Sequence, residues 1–331
     1  MQAPPVLAVV VPCFNEQDVL PETARRLDAL FDQLVGLGRI APSSHVCFVD
    51  DGSTDRTWSL IAGLGAGSRR FGGIRLTRNR GHQNALMAGL LNVRGDVVVT
   101  IDADLQDDIN AIEAMLDEAA AGAEIVYGVR SARRSDSFQK RVSARAYYRL
   151  LKGLGVEIVF DHADFRLLTR RAIDALSEYK ETNLFLRALI PQLGFQTSIV
   201  TYERSERFAG VTKYSLRKML RLAVEGVTSF STRPLQIVTL IGGLASLMAI
   251  GLTVWALLAT LVFRHVIPGW ASTVIPIYLV CSVQLLSLGV IGEYVGKIYL
   301  EAKQRPRYLI AEILGPADAP IRNAVPQPAH E

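Results

Sequence analysis

The chain is poor in cysteine: it has three, Cys13, Cys47 and Cys281, widely spaced and with no CxxC pair. An odd number at such spacing excludes a disulfide framework and a zinc site, and fits small buried thiols in a reducing compartment. The first residues lack a basic stretch, and the apolar run Val6–Val11 is too short for a leader, so no signal peptide is expected. An excess of either charge is also missing. The 36 Lys and Arg stand against 32 Asp and Glu, and the resulting +4 does not point to nucleic acid. Glycine is absent from Val9–Glu16, which excludes an N-terminal Gly-rich phosphate loop of the kind a nucleotidyltransferase would carry.

Charge itself is absent from two long stretches. Residues 235–263, Leu235 to Phe263, and residues 266–292 hold no Asp, Glu, Lys or Arg. Each is longer than the ~20 residues that cross a bilayer. Buried core helices would rarely run so far without charge, so a transmembrane hairpin over 234–296 is expected, with spans at about 235–263 and 268–292. Pro268-Gly269-Trp270 supplies the turn and an interfacial aromatic. Lys213, Arg217, Lys218, Arg221 and Arg233 precede the first span, and Lys297, Lys303, Arg305 and Arg307 follow the second, while the connection holds only Arg264 and His265. The positive-inside rule then places both ends in the cytoplasm. In residues 211–233, Lys213, Arg217 and Arg221 recur at helical spacing beside Leu216, Leu220, Val224 and Val227. That pattern predicts an amphipathic helix on anionic headgroups. Residues 297–331 read as a cytoplasmic tail, its end rich in Pro and Ala and expected to be disordered.

Residues 1–210 read as an α/β domain. Strands are expected at Leu7–Val11, Val46–Val49, Ile74–Leu76, Val97–Ile101 and Glu124–Tyr127, and helices at 18–36, 54–64, 82–92 and 107–121. Alternation of the two predicts a mostly parallel sheet covered on both faces, with ligands at the carboxyl ends of its strands. Acidic and polar clusters fall at those ends. The second strand runs into Asp50-Asp51-Gly52-Ser53-Thr54-Asp55. Helix capping explains Ser53, Thr54 or Asp55 but not the Asp pair, which suits a ribose or base. The fourth strand runs into Asp102-Ala103-Asp104-Leu105-Gln106. An Asp-x-Asp there offers hard oxygens for Mg²⁺ or Mn²⁺, with Gln106 as a third. Arg78-Asn79-Arg80-Gly81-His82 is a basic loop opening a helix, suited to phosphate.

VPCFNE, VDDGSTDRT, NRGHQNALMAGL, DADLQDD and ADFRLLTRRAIDAL, followed by two apolar spans, resemble family-2 glycosyltransferases of the GT-A fold. The match is nearest to the polyprenyl-phosphate group, which includes bactoprenol glucosyltransferases and dolichol-phosphate mannose synthase. The resemblance implies a nucleotide-sugar site at Pro12, Phe14, Glu16, Asp51, Ser53, Arg80, Asp102 and Ala103. It implies Mg²⁺ or Mn²⁺ on Asp102, Asp104 and Gln106, with Asp104 and Asp164 catalytic. Asp164 would be a base, or would orient the acceptor, or would simply pair with Arg166. Arg204, Arg207 and Lys213 would clamp phosphates, with Arg130 a weaker candidate. The expected activity is inverting sugar transfer, with UDP-glucose the favoured donor, to polyprenyl (undecaprenyl) phosphate at a bacterial inner membrane by a homo-oligomer, four subunits favoured. GDP-mannose, UDP-GlcNAc, UDP-galactose and a modified UDP-arabinose are alternative donors. A processive polysaccharide synthase would carry QxxRW and more spans, and neither is present. A silent membrane scaffold would have no need of the intact Asp-x-Asp.

Overall fold

The computed structural model describes residues 3–130, 162–181, 184–203, 233–261 and 270–315. They fall into two compact units. The first is α/β and takes in the described residues to Glu203 and again from Arg305. Its elements in chain order are β1 (Leu7–Cys13), α1 (Leu20–Gly36), β2 (His45–Asp50), α2 (Thr57–Gly67), β3 (Phe71–Leu76), α3 (His82–Asn92), β4 (Val97–Thr100), α4 (Ala111–Ala120), β5 (Ile125–Arg130), β6 (His162–Thr169), α5 (Arg170–Ser177), α6 (Leu186–Gln192) and β7 (Thr197–Tyr202). The second unit holds α7 (Arg233–Leu261) and α8 (Trp270–Ala302), after which β8 (Ile310–Leu314) belongs again to the first.

The eight strands lie in the order β7-β5-β6-β4-β1-β2-β3-β8. β1 to β4 are parallel, β6 runs against both β4 and β5, β7 is parallel to β5, and β8 is antiparallel to β3. The sheet is therefore mixed, with β6 and β8 reversed. β1 sits at its centre, and all seven of its residues are buried. Such an unbroken apolar run is what burial on both faces requires. Alternate side chains serve opposite layers. Leu7, Val9 and Val11 pack with Leu27, Phe31 and Leu34 of α1 and Met115 of α4. Ala8 and Val10 face Leu86 and Leu90 of α3 and Ile173 of α5.

All five strands and four helices expected from sequence are found, with ends shifted by up to a few residues. Three strands and two helices of this unit were not expected. β6 turns the Asp164 segment into a strand, because its backbone pairs on both sides. β8 corrects the expectation that everything after the second span is a tail. It pairs with β3, and the Trp58 indole N–H donates to Glu312 at 3.1 Å.

In the second unit the expected spans fall on α7 and α8, of 29 and 33 residues. Leu240, Leu247, Leu285 and Leu288 are exposed there. Over the described residues alone, no helix is long and apolar enough to cross a membrane. Of the amphipathic helix expected over 211–233, all but Arg233, which opens α7, lies outside the described residues, as do Pro268 and Gly269 of the expected turn, whose Trp270 opens α8, and the end of the tail at 316–331.

Candidate active site

The parallel strands all end on one edge, and the polar motifs end with them. The first two loops there are tied to each other. Ser53 Oγ accepts the Asn15 N–H at 2.9 Å, Asn15 Oδ1 accepts the Thr54 N–H at 2.9 Å, and Thr57 Oγ1 accepts the Glu16 N–H at 2.9 Å. Pro12 is buried beneath them, Glu16 is partly exposed, and the Phe14 ring is 45% exposed on top. Ser53 is thus committed to the loop beneath Phe14. Gly52 has φ +70°, and a Cβ there would lie 2.6 Å from Arg78 C and Asn79 N. Only glycine lets the two backbones meet so closely.

Asp50 and Asp51 are buried and hold loop backbone. Asp50 Oδ1 accepts the Ser53 N–H at 3.1 Å. Asp51 accepts the backbone N–H of Arg80 at 2.7 Å and of Gly81 at 2.8 Å, fixing the start of α3. Burial raises the Asp51 carboxyl against these two hydrogen bonds. The loop so held carries Arg80, whose Nε is buried without a hydrogen-bond partner, and His82, the first residue of α3.

The register of β4 with β6 decides the next feature. Thr100 pairs with Arg166 on the antiparallel neighbour, so Asp102, two residues after Thr100, and Asp164, two residues before Arg166, stand at the same edge. His82 Nε2 lies 3.4 Å from Asp102 Oδ1 and 3.3 Å from Asp164 Oδ2. Asp164, nearly buried, also accepts from Arg166 Nη2, and from Arg187 through Nε at 3.3 Å and Nη2 at 3.2 Å. Burial alone would raise its carboxyl. The His82 contact and the charges of Arg166 and Arg187 outweigh burial and hold it well below the usual range. For His82, burial opposes protonation, while the Asp164 contact and the Asp102 charge win and raise its pKa. Asp102 is pushed up to about 6 by burial, with Asp164, Asp107 and Asp104 adding to the rise and His82 opposing it.

The Asp-x-Asp loop is braced from both sides. The Thr23 hydroxyl of α1 donates to the Ala103 carbonyl at 2.9 Å. Asp104 Oδ1 accepts the Gln106 N–H at 3.2 Å. Leu105, between them, is buried with φ +57°, a left-handed conformation costing a non-glycine residue about 1 kcal/mol. Asp107 accepts from the Tyr202 hydroxyl and from Arg130 Nη2 at 3.0 Å. Arg130 is therefore paired within this brace, at the end of β5.

The structure thus brings together Asp102, Ala103, Asp104, Gln106 and Asp164, with Arg80 and Asp51 on the neighbouring loop. Arg204, Arg207 and Lys213 lie outside the described residues. His82, Asp107, Arg166, Arg187 and Tyr202 were not among the expected site residues. His82 and Asp107 lie inside motifs already singled out, and Arg166 was considered only as a partner for Asp164. Tyr202 opens the stretch that carries Arg204, Arg207 and Lys213, and nothing in the sequence marks Arg187.

A mixed sheet with β1 central, an Asp-x-Asp just past the end of β4 and an acidic residue on the reversed strand beside it fit a GT-A, Rossmann-like architecture. The Glycosyl transferase family 2 model matches residues 8–177. The chain belongs to that family and is a glycosyltransferase. It is 46% identical to the uncharacterized glycosyltransferase YkoT of Bacillus subtilis, over 93% of this chain and 92% of that one. It is 37% identical to the bactoprenol glucosyl transferase of Shigella phage SfX, over 92% and 98%. Glucosyl-3-phosphoglycerate synthase from Mycobacterium tuberculosis, solved with Mn²⁺, UDP and phosphoglyceric acid, aligns at 20% identity with TM-score 0.43, over 68% of this chain and 76% of that one. That likeness is too distant to carry an argument.

Proposed function

We propose that the protein transfers a sugar from a nucleotide-sugar, UDP-glucose first among them, to a polyprenyl phosphate, with inversion, at the cytoplasmic face of a bacterial inner membrane. The observation that carries this reading is the β4–β6 register, which sets Asp102 and Asp164 at one sheet edge with His82 between them. A lipid acceptor is supported by relatives called bactoprenol glucosyl transferases, which match almost end to end. It is supported too by the charge-free runs of α7 and α8 and their exposed leucines.

Pro12, Phe14, Glu16 and the Asp51-held loop would receive the nucleotide, the exposed Phe14 ring offering a face to the base. Arg80, part-exposed on that loop, would meet phosphate through its guanidinium. Asp102 and Asp104, with Gln106, would hold Mg²⁺ or Mn²⁺. The donor set fits: burial first, and then the charges of Asp164, Asp107 and Asp104, raise the Asp102 carboxyl, and beyond the ion pair with His82 its Oδ1 accepts no hydrogen bond, so a dication there would relieve both the burial and the repulsion. Among the described residues no three His, Cys, Asp or Glu side chains are placed to hold a metal ion by themselves, so substrate phosphates would have to complete its shell. Bound there, the ion supplies positive charge against the departing diphosphate.

Asp164 is a poor base, since its cationic neighbours keep it ionised and weakly basic. None is needed: a phosphate monoester has a second pKa of ~6 and is already mostly dianionic at neutral pH. Asp164 instead holds Arg166, Arg187 and His82 in place, and positioning and charge supply the acceleration. Membranes containing the protein, given labelled UDP-glucose and undecaprenyl phosphate, should yield an organic-extractable sugar lipid. Polymer would indicate a processive synthase, and no product with any of the alternative donors would leave a scaffold.

A further inference from the structure

Asp164 is over-supplied with cations. Arg166 alone balances its charge and is the better placed, at 1% side-chain exposure. Arg187 adds a second guanidinium at 3.2 to 3.3 Å, longer than the ~2.7–2.9 Å usual for charge-assisted bonds. Its side chain is 39% exposed, whereas Asp164 is 6% exposed. Arg187 is therefore the part-exposed partner of a buried carboxylate. Its backbone is placed with care: Gln83 Oε1 accepts the Leu186 N–H at 3.0 Å, tying the start of α6 to α3 one residue after His82. Arg166 Nη1, buried beneath, lacks a hydrogen-bond partner and adds positive potential at the same place.

We infer that Arg187 is a phosphate-binding residue of the active site, its guanidinium shared between Asp164 and an incoming substrate phosphate. The inference rests on the proposed reaction, in which two phosphates meet at this edge: the diphosphate of the donor and the monoester of the lipid. Both present the same oxygens to a guanidinium. Asp164 then serves as the resting partner that keeps Arg187 aimed while the site is empty.

The test uses the full-length protein in membranes, as wild type, Arg187→Ala and Arg187→Lys, with each substrate varied in turn. Loss of a charge-assisted contact predicts a KM raised about tenfold or more in the alanine variant and largely restored by lysine. A rise for polyprenyl phosphate alone assigns the contact to the lipid phosphate, and a rise for the nucleotide-sugar alone assigns it to the donor. Both KM values within about twofold of wild type in Arg187→Ala would overturn the inference. So would a fall in kcat at unchanged KM that lysine does not restore, since that is the mark of a residue that only holds Asp164. If wild type makes no sugar lipid from any donor, the proposed reaction fails first. Calorimetry with inorganic phosphate and pyrophosphate then tests Arg187 alone: about tenfold weaker binding of either in Arg187→Ala supports it, and equal binding of both refutes it. Should Arg187→Ala not fold, Arg187→Gln takes its place in each arm.

Discussion

At the scale of the residue, the site depends on groups whose partners stand far off in the chain. Asp104 is partly exposed, and its contact with the Gln106 N–H can be kept by an amide oxygen. Asp104→Asn should therefore fold and insert normally, yet lose turnover by at least about a hundredfold, because one hard anionic ligand is gone. Full activity in that variant, with a metal still required, would rule out the metal assignment. Gly52→Ala acts differently. A Cβ at φ +70° driven against the Arg78–Asn79 backbone should cost at least ~2 kcal/mol and loosen the Asp51-held loop. Denaturant unfolding of the purified protein measures the first effect, and a raised KM for the nucleotide-sugar measures the second. The motif residues Asp51, Asp102 and Asp104 were legible because they follow apolar strands directly. Arg187 was not, since a lone arginine on a short helix carries no local signal and becomes a site residue only through Asp164 and Gln83.

At the scale of the element, the strands and helices up to β5 and the two long helices α7 and α8 were legible, and β6, α5, α6, β7 and β8 were not. The helix α3 matches its expected bounds, since Gly81 and the apolar spacing after it are local features. β6 was missed because a strand with Asp164 and Arg166 inside it breaks the apolar pattern that identifies buried strands. Those charges are tolerated because Asp164 and Arg166 pair with each other and because His82 and Arg187 reach the carboxylate from other elements. β7 is a sheet-edge strand with alternating exposure, a weak pattern. β8 is five residues long, and its place is decided by pairing with β3 and by the Trp58–Glu312 contact. Deleting the chain after Gln304 should bare the β3 edge, lower stability by several kcal/mol and promote aggregation. Glu312→Ala alone should cost ~1 kcal/mol, the usual net worth of one hydrogen bond. Equal unfolding midpoints for the truncated and intact chains would show that β8 is dispensable.

At the scale of the whole molecule, a catalytic α/β unit and a helical pair share one chain that leaves the sheet and returns to it. The proposed hairpin predicts that the protein stays in the membrane pellet after alkaline carbonate washing. It also predicts that a tag at either end is cut by protease only when the cytoplasmic face is open. Release by carbonate would sink the membrane reading while leaving glycosyl transfer intact. The residues alone determined the apolar strands, the helical spacing and the charge-free runs, because these follow from periods of two and 3.6 residues and from transfer energies that act locally. Only the tertiary structure decided that Asp164 meets Asp102 through a reversed strand, and that two arginines and a histidine converge on one carboxylate. Those contacts depend on strand register and long-range pairing, and short-range pattern does not encode either.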